Sequence, residues 1–126
     1  MPREALQPEG MAKPKPPYSP VVVSGETVYT AGQIANDSEG NLIEGGIEEQ
    51  TRRTLENVRT CLAAAGCTLD DVVSSECWLT DPRDFVIFNA IYKTYFTKSK
   101  PIRSVFQNHF MLEFRIEMKV VAYKPQ

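Results

Sequence analysis

Between Ile47 and Ala65, Ile47, Thr51, Leu55, Val58, Leu62 and Ala65 recur on one face at helical spacing. Glu48, Glu49, Arg52, Arg53, Glu56 and Arg59 fill the remainder. The periodicity predicts an amphipathic helix over 47–65, stopped by Gly66. With three acids among the arginines, its polar side reads as a solvated face rather than a basic binding face. A helix with one apolar stripe needs a second layer to cover it, and the rest of the chain supplies strands.

Val21–Val23 and Thr27–Ala31 flank Ser24-Gly25-Glu26 and read as a hairpin. Gly32 closes the second strand, at a point where something must approach its backbone. Leu42-Ile43 reads as a short extra strand. Val72–Leu79 alternates as a strand, with Val73, Ser75, Cys77 and Leu79 sharing a side. Asp81 and Pro82 open a second helix as cap and first residue. Its aromatic stripe, Phe85, Phe88, Tyr92, Tyr95 and Phe96, reads as core, with a cofactor box as the alternative. Ile102–Gln107 and Phe114–Tyr123 are the last strands. Along the final one, Phe114, Ile116, Met118, Val120 and Ala122 point one way, and Arg115, Glu117 and Lys119 the other.

The order is β-β-α-β-α-β-β, an α+β fold with two helices on one face of a mixed sheet. The other face is expected to carry Val105 and Val121, and such a half-covered sheet predicts self-association. A chain of 126 residues holds one domain. Residues 1–13, rich in proline, read as a flexible N-terminal arm, and 14–126 as that domain.

Lys plus Arg is 14 and Asp plus Glu is 16, so the net charge of -2 argues against a nucleic-acid partner. No apolar run approaches the ~20 residues of a membrane helix. The first residues lack the apolar centre of a signal peptide, so the expected location is the cytoplasm, with no membrane partner. Three cysteines without a CxxC pair, and a single histidine, His109, favour neither a disulfide framework nor a zinc site. GxSxG, P-loop and GxGxxG patterns are absent from the sequence.

Arg103 and Glu117 are the informative residues. Each sits mid-strand among apolar neighbours, Arg103 with Val105 and Gln107, Glu117 with Val121, on the face expected to be uncovered. A charge placed there is costly unless paired. An arginine fork grips a carboxylate, and a glutamate positions or activates water. A structural Arg–Glu pair across two strands is the alternative. Asn89, amid Phe85, Phe88 and Tyr92, is either a structural tie or a pocket residue.

Further segments carry a resemblance. They are Pro17-Tyr18-Ser19-Pro20, Thr30-Ala31-Gly32-Gln33-Ile34 and Gly45-Gly46-Ile47-Glu48-Glu49-Gln50-Thr51. They continue with Ala64-Ala65-Gly66-Cys67-Thr68-Leu69-Asp70-Asp71-Val72-Val73, then Asp84-Phe85 with Asn89 and Tyr92. Pro101-Ile102-Arg103-Ser104 and Ile116-Glu117 complete the set. In this order, from Pro14 to Ala122, they resemble the RidA (YjgF/YER057c/UK114) family.

The resemblance implies a chorismate-mutase-like fold and a homotrimer with sites between subunits. It implies hydrolytic deamination of 2-imino acids or their enamine tautomers to 2-keto acids and ammonia, without metal or organic cofactor. It assigns the substrate carboxylate to Arg103, the water to Glu117 and the close ligand approach to Gly32 beside Ala31. It places Tyr18 and Asn89 at pocket-lining positions. Two departures bear on substrate preference: Val105 stands where the family often has cysteine, and the loop Asn108 to Glu113 lacks the usual Leu-Pro. The alternatives are a non-enzymatic small-carboxylate binder on the same trimer, a relative specialised for another deamination, and a ribonuclease or translation inhibitor.

Overall fold

The computed structural model describes residues 2–125. Met1 and Gln126, the outer ends of the expected arm and domain, lie outside the described residues. Six strands form one sheet: β1 (Arg3–Leu6), β2 (Val21–Ser24), β3 (Thr27–Thr30), β4 (Val72–Leu79), β5 (Ile102–Gln107) and β6 (Ile116–Tyr123). Their spatial order is β1-β2-β3-β6-β4-β5. All neighbours are antiparallel except β4 and β5, which run parallel. A parallel pair needs a crossover, and helix α2 (Phe85–Tyr95) supplies it. Helix α1 (Ile47–Ala64) links β3 to β4.

Local chemistry accounts for the ends of these elements. Gly25 takes φ +62 at the first central position of the β2–β3 turn, which is the type II′ requirement. The Gly46 N–H donates to the Glu49 carboxylate at 2.9 Å, which caps α1. At the other end Gly66, at φ +76, lets the Cys67 N–H return to the Leu62 carbonyl. Asp81 caps a 3₁₀ turn (Pro82–Asp84) that leads into α2.

Leu55, Val58, Cys61 and Leu62 of α1, with Phe88, Ile91 and Tyr92 of α2, pack on one face of the sheet. They meet Val21, Val28, Cys77, Leu79, Ile116, Met118 and Val120. Polar ties hold the layers in register. The buried Asp84 carboxylate accepts two hydrogen bonds from Arg115, at 2.7 and 3.1 Å. The Arg115 N–H donates to Gln50 Oε1. Asn57 Nδ2 donates to the carbonyls of Ile34 and Asn36, clamping the loop after β3 onto α1.

The expected order holds with one addition. The segment read as an arm contains β1, in which Arg3–Leu6 pairs with β2. The strand occupies the stretch between Pro2 and Pro8, where every residue has an N–H to donate. Leu42 makes an isolated bridge to Asn36 in place of an extra strand. The last strand begins at Ile116, two residues later than expected. Val73 does not share the buried side with Ser75, Cys77 and Leu79. An irregularity between Val72 and Ser74 turns it outward, 49% exposed.

The face away from the helices is open, as expected. It carries Tyr29, Trp78, Phe106 and Val121, with the Trp78 and Phe106 rings stacked at 6.0 Å. No helix among the described residues is long and apolar enough to cross a membrane.

Candidate active site

The sheet register separates Arg103 from Glu117. In the β4–β6 ladder Glu117 stands opposite Trp78, and Cys77 opposite Met118. Cys77 and Met118 are fully buried under the helices, so Trp78 and Glu117 face the open side. In the β4–β5 ladder Arg103 stands opposite the buried Ser75. Arg103 therefore projects to the helix side, with Val105 and Gln107. This corrects the expectation of a shared open face for Arg103, Val105 and Glu117. It also removes the structural Arg–Glu pair. Alternation along β5 relates Arg103 only to its own strand, and the face is set by its partner residue on β4.

Glu117 belongs to one constellation. After Tyr29 pairs with Val121, the next bridge joins Gln33 to Met118, so the β3 side holds one extra residue. The Thr30 hydroxyl accepts the Val120 N–H at 3.1 Å in place of the missing ladder partner. This bulge carries Ala31 and Gly32 past the strand. The close approach expected at Gly32 is made by Glu117 itself, because a Cβ at Gly32 would overlap the Glu117 carboxylate. The carboxylate has no hydrogen bond or ion pair among the described residues. Partial burial pushes its pKa up, and Lys119 draws it part of the way back. Glu117, Gly32, Ala31, Pro20 and the exposed Tyr18 line an open cleft of about 830 Å³.

Arg103 belongs to a second constellation outside that cleft. Its Nη1 donates to Asn89 Oδ1 at 2.7 Å. Its guanidinium carbon lies 4.8 Å from the Tyr92 ring centre, 5.8 Å from Phe88 and 5.9 Å from Phe85. The rest of the fork has no partner among the described residues. Asn89 is thus a tie to Arg103. The aromatic stripe does pack the core, through Phe88, Tyr92 and Phe96, and its outer edge holds the arginine.

Sequence reasoning missed Thr30, Asn57 and the Asp84–Arg115 pair. Asn57 left a usable signal, a polar residue between Thr54 and Val58 on the buried side of α1. His109 is exposed in the β5–β6 loop and joins neither constellation. Cys61, Cys67 and Cys77 are buried and unpaired, and burial raises the Cys61 thiol to about 12 and Cys77 to about 11. Among the described residues no cluster of three or more His, Cys, Asp or Glu could hold a metal.

One mixed sheet with two helices on one face, a carboxylate without a partner among the described residues, and a guanidinium seated on Asn89 and three aromatic rings define an α+β protein with two separate charged clusters. The endoribonuclease L-PSP family model matches residues 10–124, and the chain belongs to that family, also called YjgF/RidA. A RutC family protein of Pyrococcus abyssi is 40% identical over 126 residues, covering 98% of this chain and 99% of its own. The 2-iminobutanoate/2-iminopropanoate deaminase of Mus musculus is 42% identical over 108 residues, 84% of this chain and 80% of that protein. The structure of E. coli TdcF with bound serine superposes with a TM-score of 0.89 at 27% identity, covering 97% of this chain and 99% of that one.

Proposed function

We propose that this chain is a hydrolase that deaminates 2-imino acids, such as 2-iminobutanoate and 2-iminopropanoate, or their enamine tautomers. Water and the imine give a 2-keto acid and ammonia. The observation that carries this reading is the division of the charged groups: a carboxylate at Gly32 and a guanidinium at Asn89, neither with an ion-pair partner among the described residues, on opposite faces of one sheet. They serve one small substrate only where the open face of one copy meets the β5 edge of another. A homotrimer meets that need, and the exposed Phe106 and Tyr29, with the half-buried Trp78, provide apolar surface for it.

In this reading Arg103 of one subunit grips the substrate carboxylate through two parallel hydrogen bonds, and Asn89 keeps the guanidinium in place. The neighbouring copy contributes Glu117, with Ala31, Gly32 and Tyr18 lining the same cleft. Glu117, its charge desolvated and unpaired, accepts a hydrogen bond from water and directs the oxygen lone pair at the imine carbon. Addition gives a carbinolamine. Its nitrogen takes up a proton and leaves as ammonia, and the hydroxyl becomes the keto carbonyl. Holding water and imine carbon in contact is most of the work, which suits a site with few titratable groups. The deaminase name of the mouse relative and the serine bound to TdcF both support a small α-carboxylate substrate.

The test incubates the protein with a pyridoxal-phosphate dehydratase that generates 2-iminobutanoate and follows loss of the imine, with light scattering alongside. Faster loss and a mass about three times 14.2 kDa are expected. A monomer mass would separate the two constellations for good. Unchanged imine loss by a trimer that binds 2-oxobutanoate would make the protein a carboxylate binder without chemistry.

A further inference from the structure

We infer that Tyr92, with Phe85 and Phe88 beside it, is a positioning residue whose ring holds the Arg103 guanidinium in its working orientation before any ligand arrives. This deepens the proposed function and rests on Arg103 as the carboxylate grip. Arg103 is exposed on β5, an edge strand. An exposed arginine ordinarily samples many rotamers, and ordering it lowers affinity. Here three ring faces lie within 5.9 Å of its guanidinium carbon, Tyr92 closest at 4.8 Å.

The rings are themselves fixed. Phe88 is fully buried and Tyr92 nearly so. Phe85, Phe88, Tyr92 and Phe96 form a continuous run, with centroid spacings of 6.4, 5.6 and 4.5 Å. Cation–ring attraction fixes the plane and the Asn89 hydrogen bond fixes the rotation. Together they leave the remaining N–H donors unpaired. The Tyr92 hydroxyl takes no part, for the side-chain hydrogen bond of the fork goes to Asn89, and the buried hydroxyl lies toward Ser75 instead. The π face carries the effect, so phenylalanine should replace Tyr92 and leucine should not.

The test compares wild type, Tyr92→Phe, Tyr92→Leu and Phe85→Leu. Phe85 is 40% exposed, so its variant is the one least exposed to folding failure. Dissociation constants are measured for 2-oxobutanoate and for its uncharged amide, 2-oxobutanamide. Both leucine variants should bind the acid roughly 5- to 20-fold more weakly and the amide equally well, with Tyr92→Phe near wild type. Equal weakening of acid and amide, or loss in Tyr92→Phe as well, would make the rings mere packing and overturn the inference.

A ligand-free readout separates this from the functional reading. The Arg103 Nε–H resonance of the free protein should be ordered in wild type and Tyr92→Phe and averaged in both leucine variants. An averaged Nε–H signal in wild type overturns the inference whatever the protein binds. An ordered signal that the leucine variants lose, with no 2-oxobutanoate binding by wild type, upholds the seat and rejects the substrate.

Discussion

Arg103 and Glu117 lie on opposite faces of one sheet, the first opposite Ser75 on β4 and the second opposite Trp78 on the same strand. Ser75 and Trp78 are three residues apart, and an odd separation along a strand reverses the face. A single copy of the chain therefore keeps the two groups apart, and the proposed chemistry requires a neighbour.

Glu117→Gln tests the water-directing role. It keeps shape and removes the charge. Imine hydrolysis should fall by ~10²–10⁴-fold, the usual loss of a general base, while 2-oxobutanoate binding stays within a few-fold. Turnover at the wild-type rate would make Glu117 a structural residue.

The raised pKa of Glu117 adds a stability signature. Its folded-state pKa lies above the ordinary 4.5 because burial disfavours the charge. The protonated form is thus favoured by folding. That contribution is fully present below the unfolded value and is lost as pH rises through the folded value. At neutral pH Glu117→Gln should melt above wild type, and the gap should close as pH falls toward 4.5 and below. For the same reason the acid limb of the wild-type rate profile should fall above the ordinary carboxylate range. A Tm gap independent of pH would detach the effect from this ionisation.

Gly32→Ala should act through Glu117. The backbone at Gly32 suits any residue, but the new methyl overlaps the carboxylate, which must swing away. The variant should fold and lose most of its activity. Combined with Glu117→Gln it should add little further loss, because both changes disable one group. Fully additive rate losses in that cycle would place the effect of Gly32 elsewhere.

Arg103→Lys keeps the charge and loses the fork. Carboxylate affinity and turnover should both drop strongly, since an ammonium does not fix a carboxylate plane. The melting temperature should change little, because Arg103 is exposed on an edge strand. Near wild-type turnover would show that charge alone suffices.

Asp84→Ala leaves the Arg115 fork without its buried acceptor and unties the entry of α2 from that of β6. A loss of ~2 kcal/mol in denaturant unfolding is expected, the scale of hydrogen bonds to a charged group. An unchanged midpoint would mean that water replaces the pair at no cost.

Much of this fold is written in local patterns. The 3.6-residue stripe of α1, the alternation of β6, the Asp81-Pro82 helix entry and the turn at Gly25 each follow from residues within a few positions of one another. Solvent and backbone sterics act on them directly, so Ile47–Ala64, Val72–Leu79 and Ile102–Gln107 stand where periodicity puts them. The ordered motifs singled out Arg103, Glu117, Gly32, Tyr18, Ala31 and Asn89 as candidates. Tertiary structure decided how those candidates group. Which face a strand side chain takes depends on its ladder partner, and Arg103 pairs its strand with β4, across a whole helix in sequence. The bulge that brings Gly32 against Glu117 needs β3 and β6, whose Thr30–Val120 hydrogen bond joins residues 90 apart in sequence. The same holds for β1, whose four residues have no alternating pattern and become a strand only because β2 offers an unpaired edge. Local sequence determines the elements because their energies are local, and register and burial decide where the candidate residues stand because those belong to pairs of elements.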